Sequence, residues 1–238
     1  MRDVTIGPCR MLLGDARELL RDLEDCADLV VTDPPYLLTS GGRNSQVMGG
    51  KFSRARYDNS GSLMRTIRWD EMAGPIFRAC KPRADCYVMA NDKQVFAAHA
   101  AFSAEGWRFH NLLTWNKRKA TRNRWYMKNQ EYTLYLYRGR ARTINMPGSL
   151  QQFTCLADPI DWHPTAKPVS LFQHYIENSS MPGDVVLDPF CGSGTCAIAA
   201  MRSGRRSISI EVDEEWFERK LERVAMELQS LQPGRRVS

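Results

Sequence analysis

Along the chain, short apolar runs of strand length alternate with stretches whose apolar residues recur every three or four positions. Seven runs have strand character, at 9–13, 27–32, 85–90, 109–115, 131–137, 185–187 and 207–210. β-Branched and aromatic residues are frequent in them. The segment Glu131-Tyr132-Thr133-Leu134-Tyr135-Leu136-Tyr137 alternates strictly, as a half-buried strand does. Helical spacing fills the gaps. About two turns follow Asp15, with Ala16, Leu19, Leu20 and Leu23 on one face. Further helices are predicted at 70–80, stopped by Lys81-Pro82, at 92–104, capped by Asn91, and from Pro168 to about Ser179. Two more span 195–202 and 214–231. Strands alternating with helices predict an α/β fold with a doubly wound, mainly parallel sheet. Strands 109–115 and 131–137 have no helical crossover between them, so that pair is expected to be antiparallel.

Three stretches break the periodicity. Residues 37–68 are rich in Gly, Ser and Arg, residues 116–129 are basic, and 138–162 are irregular with turn signals at Pro147-Gly148 and Asp158-Pro159. Neither an internal repeat nor a second core is visible. The expectation is a single domain over 1–238 with basic inserts at about 37–68 and 116–162.

Composition narrows the class. The 238 residues are 43% hydrophobic and 10% aromatic, ordinary for a soluble globular protein. Net charge is +6 and the pI about 9.0, and the placement of that charge is more telling than its size. From Asn116 to Arg142 there are nine Lys or Arg against Glu131 alone, and from Leu37 to Arg68 six against Asp58 alone, whereas 211–228 is acidic. The asymmetry suggests a polyanion meeting one face, the plainer alternative being two solvated basic loops. Seven cysteines (Cys9, Cys26, Cys80, Cys86, Cys155, Cys191, Cys196) form no Cys-x-x-Cys pair, which argues against a disulfide framework or a zinc site. No signal peptide or membrane-spanning run is seen, so a reduced, cytoplasmic protein is expected.

Two motifs carry chemistry. Asp33-Pro34-Pro35-Tyr36 ends the apolar run 27–32 and puts a carboxylate, a carbonyl and an aromatic ring at one strand tip, where open α/β sheets bind ligands. Taken alone it could be a strand-ending turn. Asp188-Pro189-Phe190-Cys191-Gly192-Ser193-Gly194-Thr195 lies between a strand and a helix. It is neither the dinucleotide fingerprint nor a phosphate-binding loop, which disfavours a pyrophosphate ligand. Glu211 closes the next strand, where an acidic side chain can take both hydroxyls of a ribose. Together these point to a nucleoside-bearing cofactor.

The two motifs resemble those of the S-adenosylmethionine-dependent amino-methyltransferases of DNA. Their order, catalytic motif first and cofactor motif late, is similar to the circularly permuted β class. His163-Pro164-Thr165-Ala166-Lys167-Pro168, Gly14-Asp15, Trp115-Asn116-Lys117 and Glu131-Tyr132 match further segments, so the resemblance covers roughly residues 9–228. It implies a Rossmann-like, seven-stranded methyltransferase fold in which the strands ending at Asp33 and Leu187 are neighbours. It implies a catalytic set of Asp33, Pro34, Pro35 and Tyr36. The ribose of S-adenosylmethionine would meet Glu211, its adenine Asp15 and Phe190, and its methionine end Asp188, Gly192 and Lys167, with Ser193, Gly194 and Thr195 completing the loop. S-adenosylhomocysteine would be the product, and no metal is implied.

Within this resemblance Asp33 and the Pro34 carbonyl would each accept one hydrogen of an exocyclic amine, freeing its lone pair, while Tyr36 stacks on a base flipped from double-stranded DNA. An aspartate at position 33 favours adenine N6 over cytosine N4 in this family. An idle DNA-binding module or an RNA or protein-amide methyltransferase are the remaining alternatives. DNA contacts are expected from Arg43, Lys51, Arg54 and Arg56 in the first basic insert and from Lys117, Arg118, Lys119, Arg122, Arg124 and Trp125 in the second. Tyr126 beside them is a further candidate, whereas Tyr132, Tyr135 and Tyr137 suit strand packing better. The target-recognition region, about 138–162, is short, which suggests a short or loosely defined site. Family members are often homodimers. His163, without a partner at metal spacing, is expected to be a positioning or structural residue.

Overall fold

The computed structural model describes residues 2–36, 66–121, 126–156, 160, 162–163 and 165–231. The chain begins with a hairpin, β1 (Arg2–Ile6) and β2 (Cys9–Leu13), followed by the short helix α1 (Ala16–Leu19), a single 3-10 turn and β3 (Ala27–Thr32). Helix α2 (Trp69–Ala79) runs directly into β4 (Cys80–Ala90), and α3 (Val95–Ala104) leads to the long hairpin of β5 (Arg108–Thr121) and β6 (Lys128–Tyr137). After β7 (Gln152–Thr154) come α4 (Val169–Ser179), β8 (Val185–Asp188), α5 (Thr195–Arg202), β9 (Arg206–Glu211) and α6 (Glu214–Leu231).

The nine strands form one sheet in the order β1-β2-β9-β8-β3-β4-β6-β5-β7. The inner seven are the seven runs read from the sequence. Among the described residues the expected seven strands become nine through two edge strands, β1 and the three-residue β7. Both are short and largely exposed, so they carry little apolar signal. The sheet is mainly parallel, and the pair β5–β6 is antiparallel as expected.

The central strands β3, β4 and β8 are buried on both faces, and successive residues serve opposite cores. Val30, Cys86, Val88, Leu134 and Leu136 pack with α1, α2 and α3. Leu29, Val31, Tyr87, Met89 and Tyr135 pack with α4, α5 and α6. On this second face Tyr87 stacks between Tyr135 and Tyr175, with ring centroids 4.6 and 4.7 Å away. These tyrosines, with His110 on Tyr135, make a packing stack.

Three boundaries differ from the sequence reading. Strand β4 starts at Cys80, before Pro82, because a register shift against β3 between Ala27 and Leu29 absorbs the proline. Helix α3 starts at Val95, since the Asn91 side chain accepts N–H bonds from Lys93 and Gln94 and so closes a turn first. Most tellingly, the expected basic loop 116–129 gives up both ends to the β5–β6 hairpin. Lysine and arginine can project from an exposed ribbon as easily as from a loop, so composition did not separate the two. Arg118 sits there at φ +60°, its N–H bonded to Asn116 Oδ1. Among the described residues no helix is long and apolar enough to cross a membrane.

Candidate active site

From β3 the chain crosses through α2 to β4 on one side, and from β8 it crosses through α5 to β9 on the other. The two crossovers lie on opposite faces, so a crevice opens where β3 and β8 end. Thr32 Oγ1 donates to Asp188 Oδ1 at 2.7 Å and clips the two tips together. Residues 156 apart in sequence thus share one site.

Beyond that clip the chain turns extended through Asp33, as the following proline requires. Pro34 is buried, and its carbonyl accepts the Tyr36 N–H at 2.9 Å, while the Pro35 carbonyl accepts that of Ile67. The Tyr36 ring stacks on Trp69 at 5.2 Å and 25°. The Trp69 indole in turn donates to Gln94 Oε1. The tetrapeptide is therefore braced by α2 through a tryptophan that sequence reasoning missed.

Asp33 is only a quarter exposed and meets Lys167 Nζ at 2.5 Å. Lys167 also reaches Glu131 at 3.4 Å, and Glu131 is paired with Lys117 at 2.9 Å. Burial pushes the Asp33 carboxyl up from its ordinary range, and the Lys167 ammonium draws it back. Glu131 is also desolvated, yet the charges of Lys167 and Lys117 take it below the ordinary range. Lys167 is held protonated despite burial by Asp33 and Glu131. The sequence reading placed Lys167 at the cofactor's methionine end. Here its side chain lies on Asp33, and its backbone carbonyl accepts from Thr195 Oγ1 at 3.1 Å.

The loop after β8 is built by two left-handed glycines, Gly192 at φ +43° and Gly194 at φ +79°. A Cβ on Gly194 would lie 2.7 Å from Lys220 Cγ, and one on Gly192 2.7 Å from His163 Nε2. No side chain is accommodated at either without displacing a buried neighbour. Asp188 is 3% exposed and takes the Thr32 hydroxyl and the Phe190 N–H. Burial without a salt-bridge partner pushes its carboxyl up to about 7. Ser193 and Thr195 bond each other at 3.0 Å, and Arg223 Nη1 donates to the Ser193 carbonyl. Their hydroxyls hold the loop together. Phe190 is half-buried against the α1–α3 core.

Glu211 ends β9 with Oε1 accepting the N–H groups of Val212 and Asp213. Burial raises its carboxyl, while Lys220 nearby favours the charged form. Lys220 is itself fully buried and contacts Cys191 Sγ at 2.7 Å beneath the loop. His163 packs on the opposite side of Gly192, between Trp162 and Trp216, with both ring nitrogens lacking hydrogen-bond partners. Burial keeps it neutral, its pKa lowered to about 4. Its position agrees with the structural or positioning role read from the sequence. Asp15, expected at the cofactor adenine, caps α1 through the Arg17 N–H and pairs with the Arg17 guanidinium at 2.6 Å. Its carboxylate is engaged locally, as a residue opening a helix tends to be.

Of the residues expected on DNA, Arg118 and Lys119 are exposed, and Tyr126 beside them is 93% exposed. Lys117 is half-buried and turned inward onto Glu131, a pairing that only the hairpin register creates. Arg43, Lys51, Arg54, Arg56, Arg122, Arg124 and Trp125 lie outside the described residues.

Comparison with known proteins places the site in a family. The profile of a DNA methylase family matches residues 27–222. The chain is 27% identical over 234 residues to the putative methylase YubD of Escherichia coli K12, covering 94% of each. It is 27% identical to the type II methyltransferase M2.DpnII of Streptococcus pneumoniae, over 80% of this chain and 79% of that one. Among solved structures, a complex of M1.HpyAVI with SAM superposes with a TM-score of 0.69 at 22% identity, covering 90% of this chain and 99% of that one. The cytosine-N4-specific PvuII DNA methyltransferase superposes at 0.70 with 17% identity, covering 95% and 93%. Such structural likeness shows a shared fold.

Proposed function

The chain belongs to the N6/N4 DNA methylase family, and on that premise we propose that it transfers a methyl group to the N6 amine of adenine in double-stranded DNA. The observation carrying this reading is the Asp33 carboxylate beside the Pro34 carbonyl, one strand away from the loop 188–195 and clipped to it.

The loop's chemistry fits S-adenosylmethionine, which supplies an electrophilic sulfonium methyl. The acids that end β8 and β9, Asp188 and Glu211, are both buried, and their oxygens suit hydroxyl and N–H donors better than a phosphate. Glu211 would take the ribose hydroxyls. Phe190 would border the adenine.

An adenine amine is a poor nucleophile because its lone pair is delocalised into the ring. The Pro34 carbonyl has two lone pairs and spends one on Tyr36, so a second remains for one amine hydrogen. Asp33 keeps acceptor capacity for the other hydrogen although Lys167 occupies Oδ2. Two acceptors drive the nitrogen toward tetrahedral geometry, localise its lone pair and stabilise the positive charge that develops on it. The base must leave the duplex, at a cost of a few kcal/mol, roughly, and a tyrosine already stacked on Trp69 provides a rigid surface to receive it. Arg118 and Lys119, exposed on the hairpin, would meet phosphates and make binding salt-dependent.

The aspartate at position 33 supports adenine. Nucleoside analysis of DNA treated with the protein and S-adenosylmethionine tests this, with N6-methyladenine the expected product. N4-methylcytosine alone would transfer the same mechanism to cytosine and end the adenine reading.

A further inference from the structure

The ammonium of Lys167 has three hydrogens and finds three acceptors: Asp33 Oδ2 at 2.5 Å, Glu131 Oε2 at 3.4 Å and the Thr165 carbonyl at 3.4 Å. Its own carbonyl is tied to Thr195 at the start of α5. Lys167 therefore bridges the two halves of the site, with its backbone on the loop and its head on the aspartate. Glu131, on β6, is the only carboxylate besides Asp33 paired with it among the described residues, and Lys117 on β5 closes the cluster. Two cations and two anions alternate, and each side chain is more than two-thirds buried, so solvent screens them weakly. Removing one member would leave a buried charge without its counterpart.

We propose that Lys167 and Glu131 are positioning residues for Asp33. Glu131 holds the Lys167 ammonium against Oδ2, which fixes the carboxylate's orientation and leaves its other oxygen for the amine of the target base. Neither residue touches that base. The proposal rests on the methyltransferase reading above and deepens it. Held by acidic partners on β6 and at the tip of β3, Lys167 serves as a fixed positive charge beside Asp33.

The groups facing Asp33 set the test. Lys167 and Lys117 favour its ionised form, Glu131 disfavours it, and Asp188 lies on the neighbouring strand tip as a further acid. Deleting the lysine charge and deleting the glutamate charge must therefore move Asp33 in opposite directions.

The experiment is a pH profile of kcat on DNA for the wild type, Lys167→Gln, Lys167→Arg and Glu131→Gln, with S-adenosylmethionine affinity measured by calorimetry for each. Lys167→Gln is expected to lower kcat at least about tenfold and to move the acid limb to higher pH, with cofactor affinity within about twofold of wild type. Glu131→Gln is expected to lower kcat about three- to tenfold while its acid limb moves to lower pH. Lys167→Arg keeps the charge but changes the shape, so it recovers part of the rate with the limb in place, and it carries the test should Lys167→Gln fail to fold. A wild-type profile in both charge-deleting variants, or a loss confined to cofactor affinity, overturns the proposal and returns Lys167 to the cofactor. A wild type that methylates no DNA overturns the parent reading as well, which separates the two failures.

Discussion

Two aspartates end neighbouring strands in the same sequence context, Asp33-Pro34 after β3 and Asp188-Pro189 after β8, and the fold treats them oppositely. Asp33 keeps partial access to solvent and a lysine at salt-bridge distance. Asp188 is shut inside with a threonine hydroxyl and one backbone N–H. Burial raises both carboxyls; Lys167 opposes it at Asp33 by direct contact, whereas Lys220, which forms no ion pair with Asp188 among the described residues, leaves that carboxyl pushed up to about 7. Environments that drive two like groups apart commonly mark distinct roles. The contrast teaches that an Asp-Pro strand end is only a place. Whether it becomes a charged acceptor or a near-neutral structural group depends on side chains delivered from elsewhere in the chain.

The sharpest way to break the comparison is Asp33→Ala. Methyl transfer should fall by about 10³-fold, with S-adenosylmethionine affinity within about twofold of wild type, as read by single-turnover kinetics and calorimetry. Retained activity would remove Asp33 from the mechanism. The next largest effect is expected from Gly194→Ala on the other side of the site. A left-handed φ of +79° and a Cβ 2.7 Å from Lys220 Cγ should cost about 2 kcal/mol of stability and weaken cofactor binding about tenfold or more. Thermal melts and a binding isotherm would read both.

Asp188→Asn sharpens the comparison at the level of charge. The folded-state pKa of Asp188 lies above its unfolded value, so the stability it contributes is complete below about pH 4 and is lost as pH rises through about 7. Asparagine keeps an acceptor for Thr32 and Phe190 but cannot ionise. The variant should exceed the wild type by roughly 1–2 kcal/mol at pH 8, and the two should converge near pH 4 in urea unfolding. The smallest effect concerns His163. Its pKa is lowered to about 4, so its stability contribution is present above the unfolded value near 6.5 and is lost as pH falls toward 4. His163→Phe, which keeps a ring beside Gly192, should flatten the acid side of the stability curve by about 1 kcal/mol.

Much of the fold was legible because local periodicity fixes it. The helices at 195–202 and 214–231 and the seven inner strands follow from apolar spacing, and the neighbouring of β3 and β8 follows from the permuted motif order. The edge strands β1 and β7 escaped because they are short and mostly exposed, with only Val4, Ile6 and Phe153 packed on the core. The partners of Asp33 escaped for a different reason. The basic region offered nine cations and one acid, and nothing local says that Lys117 turns inward, that Glu131 receives it, or that Lys167 continues the series. Strand register decides the first two, and the anchoring of the Lys167 carbonyl by Thr195 decides the third. Asp15 shows the converse, since a helix cap two residues from an arginine could have been foreseen to be occupied.

The central claim is that a lysine in direct contact tunes Asp33, whereas burial pushes its neighbour Asp188 up to about 7. Carbon-13 NMR titration of carboxyl-labelled aspartate measures this directly, with Asp33→Asn and Asp188→Asn spectra to assign the two signals. The account predicts that Asp188 titrates near pH 7 and that Lys167→Gln moves the Asp33 signal to higher pH while leaving that of Asp188 in place. An Asp188 signal titrating in the ordinary carboxylate range, or an Asp33 signal unmoved by Lys167→Gln, would contradict it.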